Sequence, residues 1–219
     1  METTTYQIYS SIAQLPKKWD EVAHENAFLQ TPYLKVLEES APTNMQCFYV
    51  GIFEKNSLIG VALAQYLDLN KLESFGERDQ CIKTYIRNFI FKNFASHALF
   101  LGNNMITGQN GFTFNKEIDA ITIAEILSNC AKEITSYFKK QDIKIHIVSF
   151  KDFYQESATE LKKSTFSLLY EFNTQPNMIF ELQNQWKTNT EYIEALTKKY
   201  RDQYKRAHKK FEGIETREL

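Results

Sequence analysis

Between Ala98 and Phe150 the chain runs apolar stretch, glycine-punctuated loop, long amphipathic stretch and apolar stretch again, and that order constrains the fold more than any other feature. Ala98 to Leu101 is short and apolar and stops at Gly102-Asn103-Asn104, with Gly108 and Gly111 further along the loop. Ile118, Ile121, Ala124, Ile126, Leu127, Cys130, Ala131, Ile134 and Phe138 then recur at helical spacing, and Ile143 to Phe150 reads as a second strand. A strand that reaches its neighbour through a helix needs a crossover. The two strands are therefore expected side by side, parallel and central in one sheet, with the helix around 118–139 packed against it.

The flanking segments supply the rest of an α/β (α+β) fold. Tyr6 to Ser10 alternates like a short strand, and Ile12, Leu15, Trp19 and Val22 suggest a helix after it. Thr31-Pro32 opens another helix, the threonine oxygen as cap and the proline at the first helical position. Cys47 to Asp68 holds two β-rich runs separated by Glu54-Lys55-Asn56-Ser57, an antiparallel hairpin. Between Glu77 and Phe94 the residues Ile82, Tyr85, Ile86, Phe89, Ile90 and Phe94 recur at three and four, which predicts a buried amphipathic helix. Phe166 to Phe172 and Met178 to Leu182 flank a turn-rich pentapeptide and predict a second hairpin. Thr188 with Glu191 makes a capping box, and the helix it opens is expected to run to about Phe211 before Gly213 stops it. The domains expected are 1–186 and a basic amphipathic helix over 187–219.

Composition narrows the partners. A formal charge of -1 over 219 residues gives no global attraction to nucleic acid or to anionic membrane, so such contact must come from a local patch. Cys47, Cys81 and Cys130 lack the paired spacing of a zinc site, and no metal is expected. No stretch approaches the roughly 20 apolar residues of a spanning helix, and no basic region leads into an apolar run at the N-terminus. The expectation is a cytoplasmic protein without membrane contact.

Helices, a hairpin, strand-loop-helix-strand and a last helix form an order that resembles the GNAT superfamily of acyl-CoA N-acyltransferases. More specific is Glu191-Tyr192-Ile193-Glu194-Ala195-Leu196-Thr197-Lys198-Lys199-Tyr200-Arg201, which looks like the helix that leads from the first GNAT-like half of Fem-type proteins into the second. The loop Gly102 to Phe112 also looks like a feature of that family. The resemblance implies acyl or aminoacyl transfer from a thioester or an aminoacyl-tRNA to an amine, with acyl-CoA as cofactor and a second GNAT-like half or a homodimer as partner. The GNAT pyrophosphate signature at the start of the main helix is absent from this sequence, as is a tyrosine in the stretch Leu161 to Phe166. The other reading is a non-catalytic GNAT-like binding or interaction module.

Candidate site residues follow from the chemistry. A glycine loop can line a carbonyl oxygen and phosphates with backbone amides, which puts Gly102, Asn103, Thr107, Gly108 and Gly111 forward as donor-binding residues, or as a plain connector. His146, in the strand Ile143 to Phe150, is either a base for an amine or a hydrogen-bonded structural residue. Tyr154 and Asp152 follow that strand at the sheet edge where open α/β proteins bind ligands. Glu73 and Glu77 are either a base or solvated carboxylates. Lys198, Lys199, Arg201, Lys205, Arg206, Lys209 and Lys210, interleaved with Tyr200, Tyr204 and Phe211, form the one basic patch: a tRNA contact, an interdomain arm or a solvated helix.

Overall fold

A computed structural model describes residues 4–71, 82–108, 111–173, 180–211, 213–215 and 217. The chain divides into two compact units, Met1–Leu169 and Tyr170–Leu219. The first contains β1 (Thr4–Tyr9), α1 (Trp19–Val22), α2 (Thr31–Ser40), β2 (Met45–Glu54), β3 (Ser57–Asp68), α3 (Ile82–Phe94), β4 (His97–Leu101), β5 (Phe112–Phe114), α4 (Ala120–Lys139), β6 (Ile147–Phe150) and α5 (Gln155–Leu161). The second contains α6 (Asn189–Ala195) and α7 (Lys198–Phe211). No described helix is long and apolar enough to cross a membrane.

The six strands form one mixed sheet in the order β1-β2-β3-β4-β6, with β5 paired to β3. β2 and β3 read as near-continuous apolar runs because both faces of the sheet are covered. On one face Cys47, Tyr49, Val61 and Leu63 pack with Trp19, Leu29, Leu34 and Leu37 of the α1–α2 region. On the other, Val50, Ile52 and Ala62 meet Ala124, Leu127 and Cys130 of α4, and Phe48, Ala64 and Tyr66 meet Ile134 and Phe138. The buried Trp19 ring satisfies its one donor on the Leu29 carbonyl at 2.8 Å. The hairpin turns tightly at Lys55 and Asn56, whose φ values of 47° and 68° suit a primed two-residue turn.

The crossover expectation holds in its main part. β4 and β6 are adjacent and parallel, from Ala98 opposite Ile147 to Leu101 opposite Phe150, and α4 joins them. Two details differ. β6 is the outermost strand of the order rather than a central one. It also starts at Ile147, because residues before it close α4: Asp142 takes φ 60° and the Ile143 N–H donates back to the Phe138 carbonyl at 3.0 Å.

Four further expectations are corrected. Thr31 does not cap α2; its N–H and hydroxyl donate to the Asp20 carboxylate, and the cap residue is Gln30. The face of α3 that the periodicity places in the core, Ile86, Phe89, Ile90 and Phe94, is exposed, since α4 and the α1–α2 region already cover the two sheet faces. No second hairpin forms among the described residues: Thr165–Leu168 is a short 3-10 helix, its Phe166 ring anchored 4.4 Å from Phe150. Residues 174–179 lie outside the described part. The final helix is two helices, because Leu196 is extended (ψ 147°) between α6 and α7. The capping box of Thr188 and Glu191 is present as read, and Gly213 at φ 88° follows α7.

Candidate functional site

The edge where β4 and β6 end holds two buried polar side chains, Gln65 and Asn103. β3 bonds β2 along one side, so β4 (against Ala64 to Asp68) and β5 (against Gly60 to Ala62) share the other. The chain leaves that side at Gly102 and rejoins it at Gly111. Both stems close on Leu63: Gly102 N–H donates to the Leu63 carbonyl at 2.9 Å and Leu63 N–H to the Gly111 carbonyl at 2.8 Å. A Cβ on Gly111 would stand 3.0 Å from the Gly102 Cα, and one on Gly102, at φ 138°, would stand 2.6 Å from the Lys151 Cγ. These two glycines therefore permit close backbone approach at the neck of an Ω-like excursion. Residues 109 and 110 lie outside the described part.

The excursion rests on polar side chains that sequence spacing did not reveal. Gln65 is fully buried, and its Oε1 accepts the Asn104 N–H at 2.6 Å. Asn103 is buried; its Oδ1 accepts the Met105 N–H at 2.9 Å and its Nδ2 donates to the Tyr33 hydroxyl, also at 2.9 Å. Lys151, the first residue past β6, donates to the carbonyls of Asn103 (2.8 Å) and Ile106 (3.3 Å) and to the Asp152 carboxylate. Three acceptors use all three ammonium hydrogens, so Lys151 ties down the loop. Tyr33 accepts the Asn103 bond and keeps its own hydrogen for another acceptor. Met105, Thr107 and Gly108 of the loop are exposed, and Tyr154, the residue before α5, is exposed as well.

The other sequence candidates are distributed differently. His146 lies at the opposite, N-terminal end of the parallel pair, stacked on His97 at 5.5 Å between centroids, and its Nδ1 accepts the His97 N–H at 3.4 Å. Burial, then the neighbouring His97 and Lys144, hold its imidazolium below the ordinary histidine range. His97 in turn stands 3.6 Å from Asp68 and stacks on Tyr66. His146 is thus not brought to the loop. Glu73 and Glu77 lie outside the described residues. The glycine loop does not open a helix as expected: β5 intervenes, and the N-terminus of α4 is closed by its own Asp119, whose carboxylate accepts the Thr122 N–H at 2.9 Å. A carboxylate already occupies the place where a phosphate would meet that helix.

Burial pushes the Cys47 thiol up to about 11 and the Cys130 thiol to about 12, which leaves neither as a nucleophile. Cys81 lies outside the described residues. No known protein family, curated protein or solved structure matches this chain. In the second unit α7 exposes its lysines and Arg206, whereas Arg201 is half-buried and donates through Nη2 to the Leu196 carbonyl at 3.1 Å, bracing the α6–α7 junction. Tyr204 is half-buried, its hydroxyl accepting from Asn189 at 3.3 Å, while Tyr200 and Phe211 are exposed.

Proposed function

We propose that this chain is a GNAT/Fem-like N-acyltransferase that binds its acyl group at the loop of residues 102–108 and passes it from a thioester or aminoacyl-tRNA donor to an amine. The observation that carries the reading is the loop's position and support: it follows the carboxyl ends of two adjacent parallel strands, the usual ligand edge of open α/β sheets, and is bedded on buried Gln65 and Asn103 and clamped by Lys151. A site held this firmly can position a carbonyl without reorganising. The amides of Asn104 and Met105 are used inside the loop, and the Ile106 amide is the one we assign to the carbonyl oxygen. In the transfer the amine lone pair attacks the carbonyl carbon, the carbon–sulfur or carbon–oxygen ester bond breaks, and the leaving atom takes a proton. Tyr33 is the donor in place for that proton, and the ammonium formed on the acceptor returns it. With a tRNA donor, the exposed lysines of α7 supply phosphate contacts.

One observation favours a second reading. Lys151 is saturated within the loop and His146 stands at the other end of the strands, so among the described residues neither serves the loop as a base, as suits a module that binds without turnover. Single-turnover assays with an acyl-CoA and with aminoacyl-tRNA, plus an amine acceptor, separate the two. Transfer that falls about a hundredfold or more in Tyr33→Phe with donor binding intact supports the enzyme. Binding without transfer in the wild type supports the module, and binding of neither donor sinks both.

A further inference from the structure

Among the described helices, α3 exposes the most large apolar side chains. Ile86, Phe89, Ile90 and Phe94 are 52%, 59%, 54% and 64% exposed, and they recur at i, i+3, i+4 and i+8 on one face. Scattered exposed apolar residues are ordinary; a contiguous patch of this kind on a single 13-residue helix marks a contact surface. The same segment, Ile82 to Phe94, holds Lys83, Arg87 and Lys92 and no acidic residue, in a chain whose formal charge is -1. The exposed apolar face therefore coincides with a local excess of positive charge.

We propose that α3 lies flat on an anionic lipid surface, with Phe89, Ile90 and Phe94 entering the boundary between headgroups and acyl chains and the exposed Lys92 among the lipid phosphates. Thirteen residues at about 1.5 Å each reach roughly 20 Å, too short to cross a hydrocarbon core of about 30 Å and suited to lying in its interface. Basic residues combined with exposed phenylalanine and isoleucine are the composition of such helices. A second copy of α3 is a poorer occupant, because it brings the same three cations and no acid to meet them.

Flotation of the full chain with phosphatidylcholine vesicles, with and without phosphatidylglycerol, tests this. The wild type should float only with the anionic vesicles and lose binding as salt rises. Lys92→Gln should weaken binding roughly fivefold, and Phe89→Glu with Phe94→Glu should abolish it while leaving the thermal midpoint unchanged, since both side chains are exposed. Three results overturn the proposal: no flotation with anionic vesicles; flotation that survives the phenylalanine changes but is lost in Lys205→Glu plus Lys209→Glu, which assigns the contact to α7; or a wild-type dimer that the phenylalanine changes convert to monomer.

Discussion

Replacing Lys151 with methionine tests whether the ammonium is what holds the loop. Methionine keeps most of the aliphatic stem, including the Cγ that covers Gly102, so the change isolates the charge and its hydrogen bonds. Three contacts are lost: the Asn103 carbonyl at 2.8 Å, the Ile106 carbonyl at 3.3 Å, and Asp152. A bond from a charged donor contributes about 1.5–3 kcal/mol, and the longer of the two carbonyl bonds adds little. Both partners of the ion pair retain 19% side-chain exposure, so water recovers part of the carboxylate's loss and the pair falls below the fully buried case. The net cost is about 2–3 kcal/mol. Urea unfolding should show this as a lower midpoint at unchanged slope, and amide exchange should quicken at Asn104 and Met105. A loss under about 0.5 kcal/mol, the scale of an ordinary surface change, would mean that the loop is held by Gln65 and Asn103 alone.

Other outcomes follow from the same geometry. Gly111→Val should destabilise by about 1–3 kcal/mol in thermal unfolding, because its Cβ would press on the Gly102 backbone at 3.0 Å; a neutral result would refute the closed neck. Leu127→Ala, at the α4 interface, should cost about 2–5 kcal/mol in urea unfolding, and a much smaller loss would mean that α4 is not packed on the sheet. His146 binds its proton more weakly folded than unfolded, so it should titrate by NMR below its ordinary 6.5, and its contribution to stability should be lost as pH falls from 6.5 through the lowered value. His97→Gln should raise that midpoint, and an unmoved one would exclude the ring contact. If a tRNA donor binds through α7, Lys205→Gln with Lys209→Gln should flatten the log affinity against log salt plot by about 0.7–0.9 per contact.

The sequence was most legible where local pattern and tertiary demand agree. The hairpin over Cys47 to Asp68, α4 and the parallel pairing of β4 with β6 follow from alternation, helical spacing and the need for a crossover. Periodicity failed for α3 because it reports an apolar face and not what covers it. The second hairpin failed because Phe166, in an apolar run, serves as an anchor beside Phe150 and not as a strand residue. In the candidate site, Gly102, Asn103 and Gly111 were readable from glycine punctuation. Gln65, Tyr33 and Lys151 were not, because they converge from β3, α2 and the end of β6 and no spacing in the chain links them. Gln65 left one signal, a lone amide within the apolar run of β3, which a fully buried strand tolerates only with a partner.

Acyl-donor binding at the loop over residues 102–108 can be read directly by titrating the chain's amide NMR spectrum with an acyl-CoA and then with aminoacyl-tRNA. If the loop binds the donor, saturable shifts are expected at Ile106, Thr107 and Gly108, at Lys151 and Asp152, and at Tyr33, and they should weaken in Lys151→Met. Shifts confined to the N-terminus of α4 or to His97 and His146, or no shifts with either donor, would contradict it.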